Sequence, residues 1–173
     1  MRFTYCPDCG EKLIMKEIGD EGEIPYCNNC KKPLFDMFST CIIVLVKNRD
    51  NVLLLSQSYI STQYRNLVSG YMKPGESAEA CAMREVEEEV GVKLDKLEII
   101  GTYWFSKKGL LMIGFMGETS QTEVKLSPEV DRAEWVHYDK ASALVHPKGG
   151  GSVSAILVEE NYKRITENKT KQV

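Results

Sequence analysis

Six glutamates crowd into fourteen positions of this chain: Glu76, Glu79, Glu85, Glu87, Glu88 and Glu89. Carboxylates this dense repel one another, and a helix normally spaces them or pairs them with Lys or Arg. Arg84 is the one cation in the same stretch. A divalent cation is the simplest means of offsetting the remaining charge, and hard oxygen donors suit Mg²⁺ or Mn²⁺, which also hold substrate phosphates. A second donor set lies upstream. Cys6-Pro-Asp-Cys9 and Cys27-Asn-Asn-Cys30 are two C-x2-C pairs separated by seventeen residues. That spacing fits a four-cysteine zinc ribbon, with Zn²⁺ on Cys6, Cys9, Cys27 and Cys30. Four thiolate ligands leave no open position for catalysis, so this zinc would be a structural staple or part of a binding or dimer-forming module.

A loop and a helix must gather the glutamates. Gly70, Pro74 and Gly75 mark a turn, Ser77 is a good N-cap, and Ala78 to Val90 contains no helix breaker. On that helix Glu85, Glu88 and Glu89 fall at i, i+3 and i+4 and share one face. Ala78, Ala82, Val86 and Val90 recur every four residues and form the inward face. Gly91 closes the helix as a left-handed C-terminal cap. Cys81, with no histidine near it in sequence, reads as a small packed residue.

The flanking stretches carry strand and helix patterns. Thr40–Lys47 and Val52–Ser56 read as a buried hairpin around Asn48–Asn51, with Cys41 a core thiol. Residues 57–66 read as loop and Leu67–Ser69 as a short strand. Leu97–Phe105 and Leu110–Glu118 pair across the turn Lys107–Gly109. Ser120–Lys125 reads as an edge strand, and Ala133–Tyr138 as a further strand. Asp139 is placed to cap a helix Lys140–Val145. Residues 147–151 form a glycine-rich loop before a last helix from Ser152, whose tail frays from Thr166. The composition change near residue 36 divides the chain into a ribbon (1–36) and a larger domain (37–173).

The 173 residues allow one full domain and a small appendage, and an apolar content of 43% is ample for a core. The net charge of −3 argues against a nucleic-acid binder that relies on a basic surface. No apolar run approaches 18 residues and no secretory pattern opens the chain, so it is expected to be cytoplasmic, without a membrane partner and with reduced or metal-bound cysteines. His137 and His146 are far apart in sequence, and no G-x-S-x-G supports a serine hydrolase.

Gly70, Glu76, Arg84, Glu85, Val86, Glu88, Glu89, Gly91 and Val92 fill every fixed position of G-x5-E-x7-R-E-U-x-E-E-x-G-U, where U is aliphatic. The stretch thereby resembles the Nudix box. The resemblance implies an α/β/α sandwich with a mixed sheet, hydrolysing a nucleoside diphosphate linked to another group. It implies that Glu85, Glu88 and Glu89 are the catalytic metal ligands, that the Gly70 carbonyl is a further ligand, and that Glu76 and Arg84 hold loop to helix. Tyr71 then lies where relatives line the substrate cleft. The ribbon followed by this box resembles the NADH pyrophosphatase group. By that likeness Glu129 is an additional Mg²⁺ or Mn²⁺ ligand, with Glu118 the alternative, and NAD(H) or a related dinucleotide the leading substrate. Where the group carries S-Q-P-W-P-F-P-x-S, this chain reads Thr102-Tyr-Trp-Phe-Ser-Lys-Lys-Gly-Leu110, without the Gln or the prolines. Tyr103 and Phe105 remain candidates to stack on a base, while ADP-ribose and FAD stay open as substrates. Two further readings are a nucleotide-sensing regulator and an enzyme acting on NAD-capped RNA. Relatives also suggest a homodimer.

Overall fold

The computed structural model describes residues 3–148 and 152–170. The chain forms two compact units, Met1–Ser39 and Thr40–Val173. The first holds a three-stranded antiparallel sheet in the order β1 (Ile14–Glu17), β2 (Glu23–Cys27), β3 (Lys32–Pro33). Its buried apolar core is Cys6, Cys27 and Leu34, with Phe3, Leu13 and Cys30 partly covered. So few buried groups cannot offset the conformational entropy of the unit's chain, which leaves cross-linking through the cysteines to hold it together.

The second unit is built on a seven-stranded sheet. Its main path runs β10 (Arg132–His137), β5 (Asn51–Gln57), β4 (Ser39–Asn48), β9 (Leu110–Glu118), β8 (Lys96–Phe105). The β4–β5 hairpin is zipped at its closed end, where Lys47 faces Val52 and Asn48 faces Asn51. Arg49 adopts φ 52° in the two-residue turn. Beyond that point β4 pairs with β7 (Val68–Tyr71), and β5 pairs with β6 (Ser61–Asn66). The intervening β6–β7 segment thus carries Gly70 to a position opposite Ile42. The Lys47 carbonyl accepts a hydrogen bond from Thr119 N–H just past β9, so β4 and β9 run the same way and the sheet is mixed.

Strand alternation gives the sheet two buried faces. Ile42, Val44, Val46, Leu53 and Leu55 meet Ala82, Val86 and Val90 of α1 (Ala78–Val90). Ile43, Leu45, Val52 and Leu54 meet Val153, Leu157 and Val158 of α3 (Val153–Thr170), with Ala141 of α2 (Tyr138–Leu144). Helices therefore cover both faces, as the expected α/β/α sandwich requires. Ser77 caps α1 by accepting from Ala80 N–H at 3.1 Å, and Gly91 at φ 66° donates its N–H to Glu87 O at 3.0 Å.

Several local expectations need correction. Residues 61–66 form a strand, because pairing with β5 satisfies their backbone although their side chains are polar. Ser120–Lys125 is not a strand; the segment is tied down by Trp135 Nε1 donating to Thr122 O at 2.8 Å and Lys125 N–H donating to Val90 O. Asp139 does not cap α2; its carboxylate meets the His137 ring at 2.6 Å. The last helix continues past Thr166 to Thr170. Of the expected glycine loop, Gly149–Gly151 lie outside the described residues. No helix among the described residues is long and apolar enough to cross a membrane.

Candidate active site

One guanidinium organises the loop and helix that carry the glutamates. Arg84 donates from Nε and Nη2 to the two Glu76 carboxylate oxygens at 2.7 and 3.0 Å, a bidentate pair. Its Nη1 donates to Glu85 Oε1 at 2.7 Å and Glu88 Oε2 at 2.8 Å, and Nη2 reaches the Tyr71 carbonyl at 3.3 Å. Lys73 N–H donates to Glu76 Oε2 at 3.0 Å. The Arg84 hydrogen bonds, helped by Lys73 N–H, hold the Glu76 carboxyl down to about 2. Glu76 and Arg84 thus cross-link the turn after β7 to the middle of α1.

Glu85 lies directly over Gly70. A β-carbon at position 70 would stand 2.0 Å from Glu85 Cδ. The glycine is required there by close approach. Glu89 sits one turn further along α1. It is only 4% exposed, and its Oε2 lies 3.5 Å from Gln57 Nε2. Burial, reinforced by the charges of Glu85 and Glu129, pushes the Glu89 carboxyl up to about 8 against a hydrogen bond from Ser69 N–H. Glu129 is exposed on the loop before β10. That loop is pinned to the end of α1 by Ser127 N–H donating to Glu89 O at 2.9 Å.

A cleft of about 1040 Å³ opens over these carboxylates. Gly70, Glu85, Glu88, Glu89 and Glu129 all border it, as do Tyr71 and Phe105. Glu118, the alternative to Glu129, pairs with Lys47 at 3.1 Å and does not line the cleft. Nor does Tyr103. It packs in the core beneath α3, where a β-carbon on Gly114 would meet its ring at 2.7 Å. Tyr103 and Phe105 share one face of β8, but only Phe105, at the strand's last residue, reaches the cleft. Sequence reasoning missed Tyr59, Tyr64 and His146 in the cleft lining, the last two with ring centroids 4.9 Å apart. It also missed Gln57. One signal for it exists: Gln57 continues the Leu53, Leu55 alternation, which aims it at the α1 side of the sheet. Cys41 and Cys81 are buried, and burial raises their thiols to about 11 and 12, so both are packing groups.

The acidic set fits a divalent cation by its chemistry: an ion would relieve the repulsion that Glu85 and Glu129 exert on the buried Glu89. The carboxylates are not gathered in advance. Among the described residues, the four N-terminal cysteines form the one group whose ligand atoms all lie within 4.8 Å of one another. Glu85 and Glu88 are instead turned onto Arg84, each through one oxygen, which leaves the second oxygen of each carboxylate outside the guanidinium contact.

The cysteine cluster is preassembled. Cys6 and Cys30 sulfurs lie 3.9 Å apart, and those of Cys9 and Cys27 lie 3.6 Å apart. Tetrahedral metal–sulfur bonds of about 2.3 Å require edges of about 3.8 Å, whereas a disulfide needs about 2.0 Å. All four are free thiols. Backbone and Asn29 hydrogen bonds draw the Cys9 thiol down to about 6, while Cys9 chiefly pushes Cys30 up to about 12. A bound cation would let all four ionise together. If the cluster holds such a cation, a metal chelator is expected to make these four thiols reactive to a thiol reagent, leaving Cys41 and Cys81 protected. Amide exchange should rise throughout β1–β3 and stay unchanged in β4–α3. Exchange that spreads equally through both units would contradict metal-dependent folding of the first unit alone.

The NUDIX domain model matches residues 37–156. The chain belongs to the NUDIX family. Among curated relatives it is 30% identical over 156 residues to the NAD-capped RNA hydrolase NudC of Pseudomonas putida (strain W619), covering 90% of this chain and 54% of that protein. It is 33% identical over 144 residues to NudC of Stutzerimonas stutzeri (strain A1501), covering 83% and 51%. The chain thus spans about half the length of the curated relatives it matches. A NUDIX hydrolase from Nitrosomonas europaea superposes with a TM-score of 0.68 at 17% identity, over 93% of both chains. The NUDIX domain of Shewanella oneidensis NrtR, solved with ADP ribose, gives 0.64 at 14% identity, over 81% of this chain and 94% of that one. These structures show the NUDIX fold.

Proposed function

We propose that the NUDIX unit is a metal-dependent pyrophosphohydrolase that cleaves the diphosphate of a nucleoside diphosphate linked to another group, with NAD(H) or an NAD-linked molecule as substrate. The observation that carries this is the carboxylate set: Glu85, Glu88 and Glu89 on α1 and Glu129 on the loop before β10, all bordering one cleft. Mg²⁺ or Mn²⁺ would be held by these four and the Gly70 carbonyl. When bound, it neutralises diphosphate charge and acidifies a water. The chain's own groups position that chemistry. Arg84 and Glu76 fix the loop, Gly70 admits Glu85, and the rings of Tyr71, Phe105 and Tyr64 offer flat surfaces to a base or nicotinamide. Zn²⁺ on Cys6, Cys9, Cys27 and Cys30 is structural. A cytoplasmic homodimer is the working assembly.

The NudC names of the curated relatives support an NAD-linked substrate. The altered stretch Thr102–Leu110 keeps ADP-ribose and FAD as alternatives. A nucleotide sensor of the same fold has no need of the complete glutamate set, which favours turnover. One observation favours the capped-RNA form: Lys107 and Lys108 border the cleft, while its other cations, Lys73 and Arg84, are engaged by glutamates. The test is a product assay with NADH, NAD⁺, ADP-ribose, FAD and NAD-capped RNA, with and without Mg²⁺ or Mn²⁺. NAD-linked substrates should turn over fastest, and only with the metal. Lys107→Ala combined with Lys108→Ala should raise KM for capped RNA about tenfold and leave NADH within about twofold, with a salt dependence confined to the RNA. Equal effects on both substrates would discard the RNA reading, and nucleotide binding without any turnover would favour the sensor.

A further inference from the structure

Gln57 ends β5 beneath the cleft and is 1% exposed. Its Nε2 carries two hydrogens, and both have acceptors: Tyr59 Oη at 3.2 Å and Glu89 Oε2 at 3.5 Å. Its Oε1 is buried and meets no donor from the protein. The opposite amide orientation would set a carbonyl oxygen against the Glu89 carboxylate. A buried amide with an unsatisfied acceptor costs stability relative to an apolar side chain of the same shape. Tyr59, at the other end of the chain of contacts, borders the cleft and is 69% exposed. Three groups are therefore linked in sequence: an exposed cleft tyrosine, a buried amide, and the most buried of the acidic groups.

We propose that Gln57 is a positioning residue: anchored by Tyr59, it fixes the orientation of the Glu89 carboxylate for the cation and the reacting diphosphate. The inference rests on Glu89 being a functional ligand, as proposed above. Glu89 has few other restraints. Ser69 N–H donates to it, while Glu85 and Glu129 repel it. Without Gln57 the carboxylate keeps its place on α1 but loses the donor that selects one rotamer. Partners of this kind around a metal ligand are typically worth about 10–100-fold in metal affinity or rate.

The test uses the full-length protein and Gln57→Met, which keeps length and volume and removes both donors and the orphan acceptor. Mn²⁺ binding is followed by calorimetry and by the electron paramagnetic resonance of free Mn²⁺. Gln57→Met should weaken Mn²⁺ about tenfold and lower kcat about tenfold, with KM within about twofold. The melting temperature of the metal-free protein should hold or rise. Tyr59→Phe should have the same pattern at about two- to fivefold. In a Glu89→Gln background, Gln57→Met should add nothing, because the two act as one unit. A lowered melting temperature with unchanged Mn²⁺ affinity would assign Gln57 to packing and overturn the proposal. The Glu89→Gln single variant separates the two levels. If it leaves Mn²⁺ binding and turnover intact, the reading of Glu89 itself has failed. If it removes both while Gln57→Met changes neither, only the role of Gln57 has failed.

Discussion

Replacing Glu89 by Gln is expected to lower turnover by about 10²–10⁴-fold, the range of a lost ligand or proton-handling group, while making the metal-free protein more stable at neutral and alkaline pH. The two effects share one cause. The folded-state acid sits at about 8 because it is buried and faces Glu85 and Glu129. The unfolded chain returns it to about 4.3. Below that value the acid is neutral in both states and costs nothing. Between about 4.3 and 8 the unfolded state ionises and the folded state keeps its proton, so stability is progressively lost as pH rises, by at most about 1.4 kcal/mol per unit. Gln stays neutral and removes this slope. Melting curves from about pH 5 to 9 in buffer free of added divalent ions should therefore diverge, with the variant higher at about pH 8. The same proton competes with the cation. The apparent Mg²⁺ affinity of the natural protein should rise as pH increases to about 8 and level off above it. Parallel melting curves would show that Glu89 does not carry the burden assigned to it.

Gly70→Ala should damage the site from the opposite side. The added carbon would lie 2.0–2.5 Å from three atoms of the Glu85 carboxylate. Gly70 itself is held in the sheet opposite Ile42, so the carboxylate gives way first and leaves Arg84. A displacement of about 1 Å in a positioned group costs on the order of 10²-fold in rate. Activity should fall by at least that factor, with a stability loss of about 1–3 kcal/mol from overpacking. The control is Gly75→Ala. Nothing lies within 4 Å of that position, and only its φ of 84° is strained. That variant should lose about 1 kcal/mol of stability and keep most of its activity. If Gly70→Ala retained full activity, the close approach of Glu85 would not belong to the working site.

Much of this site is legible in the amino-acid sequence. The helix Ala78–Val90 is legible to the residue because cap, apolar repeat and C-terminal glycine all agree. The cysteine cluster is legible because two C-x2-C pairs leave one simple geometry. What stays hidden depends on partners distant in sequence. β6 escapes a sequence reading because a strand with polar side chains looks like loop until its pairing partner is known. Tyr103 and Phe105 look alike because both are aromatic on the same face of one strand; only the position of α3 separates the core residue from the cleft residue. The two roles of the glutamates are hidden as well. Spacing places Glu85, Glu88 and Glu89 on one face, but does not show that Arg84 takes the first two while Glu89 turns inward toward Gln57.

The most direct measurement is the fate of the diphosphate itself. NADH would be incubated with the purified protein and Mn²⁺ in ¹⁸O-labelled water, and the products separated and weighed by mass spectrometry. The expected result is AMP and reduced nicotinamide mononucleotide in equal amounts, with one ¹⁸O on a single one of the two phosphates, and no product without the metal or with Glu89→Gln. Products free of ¹⁸O, or NADH left unchanged together with ADP-ribose, FAD and NAD-capped RNA, would contradict a hydrolase that uses these glutamates to direct water onto phosphorus.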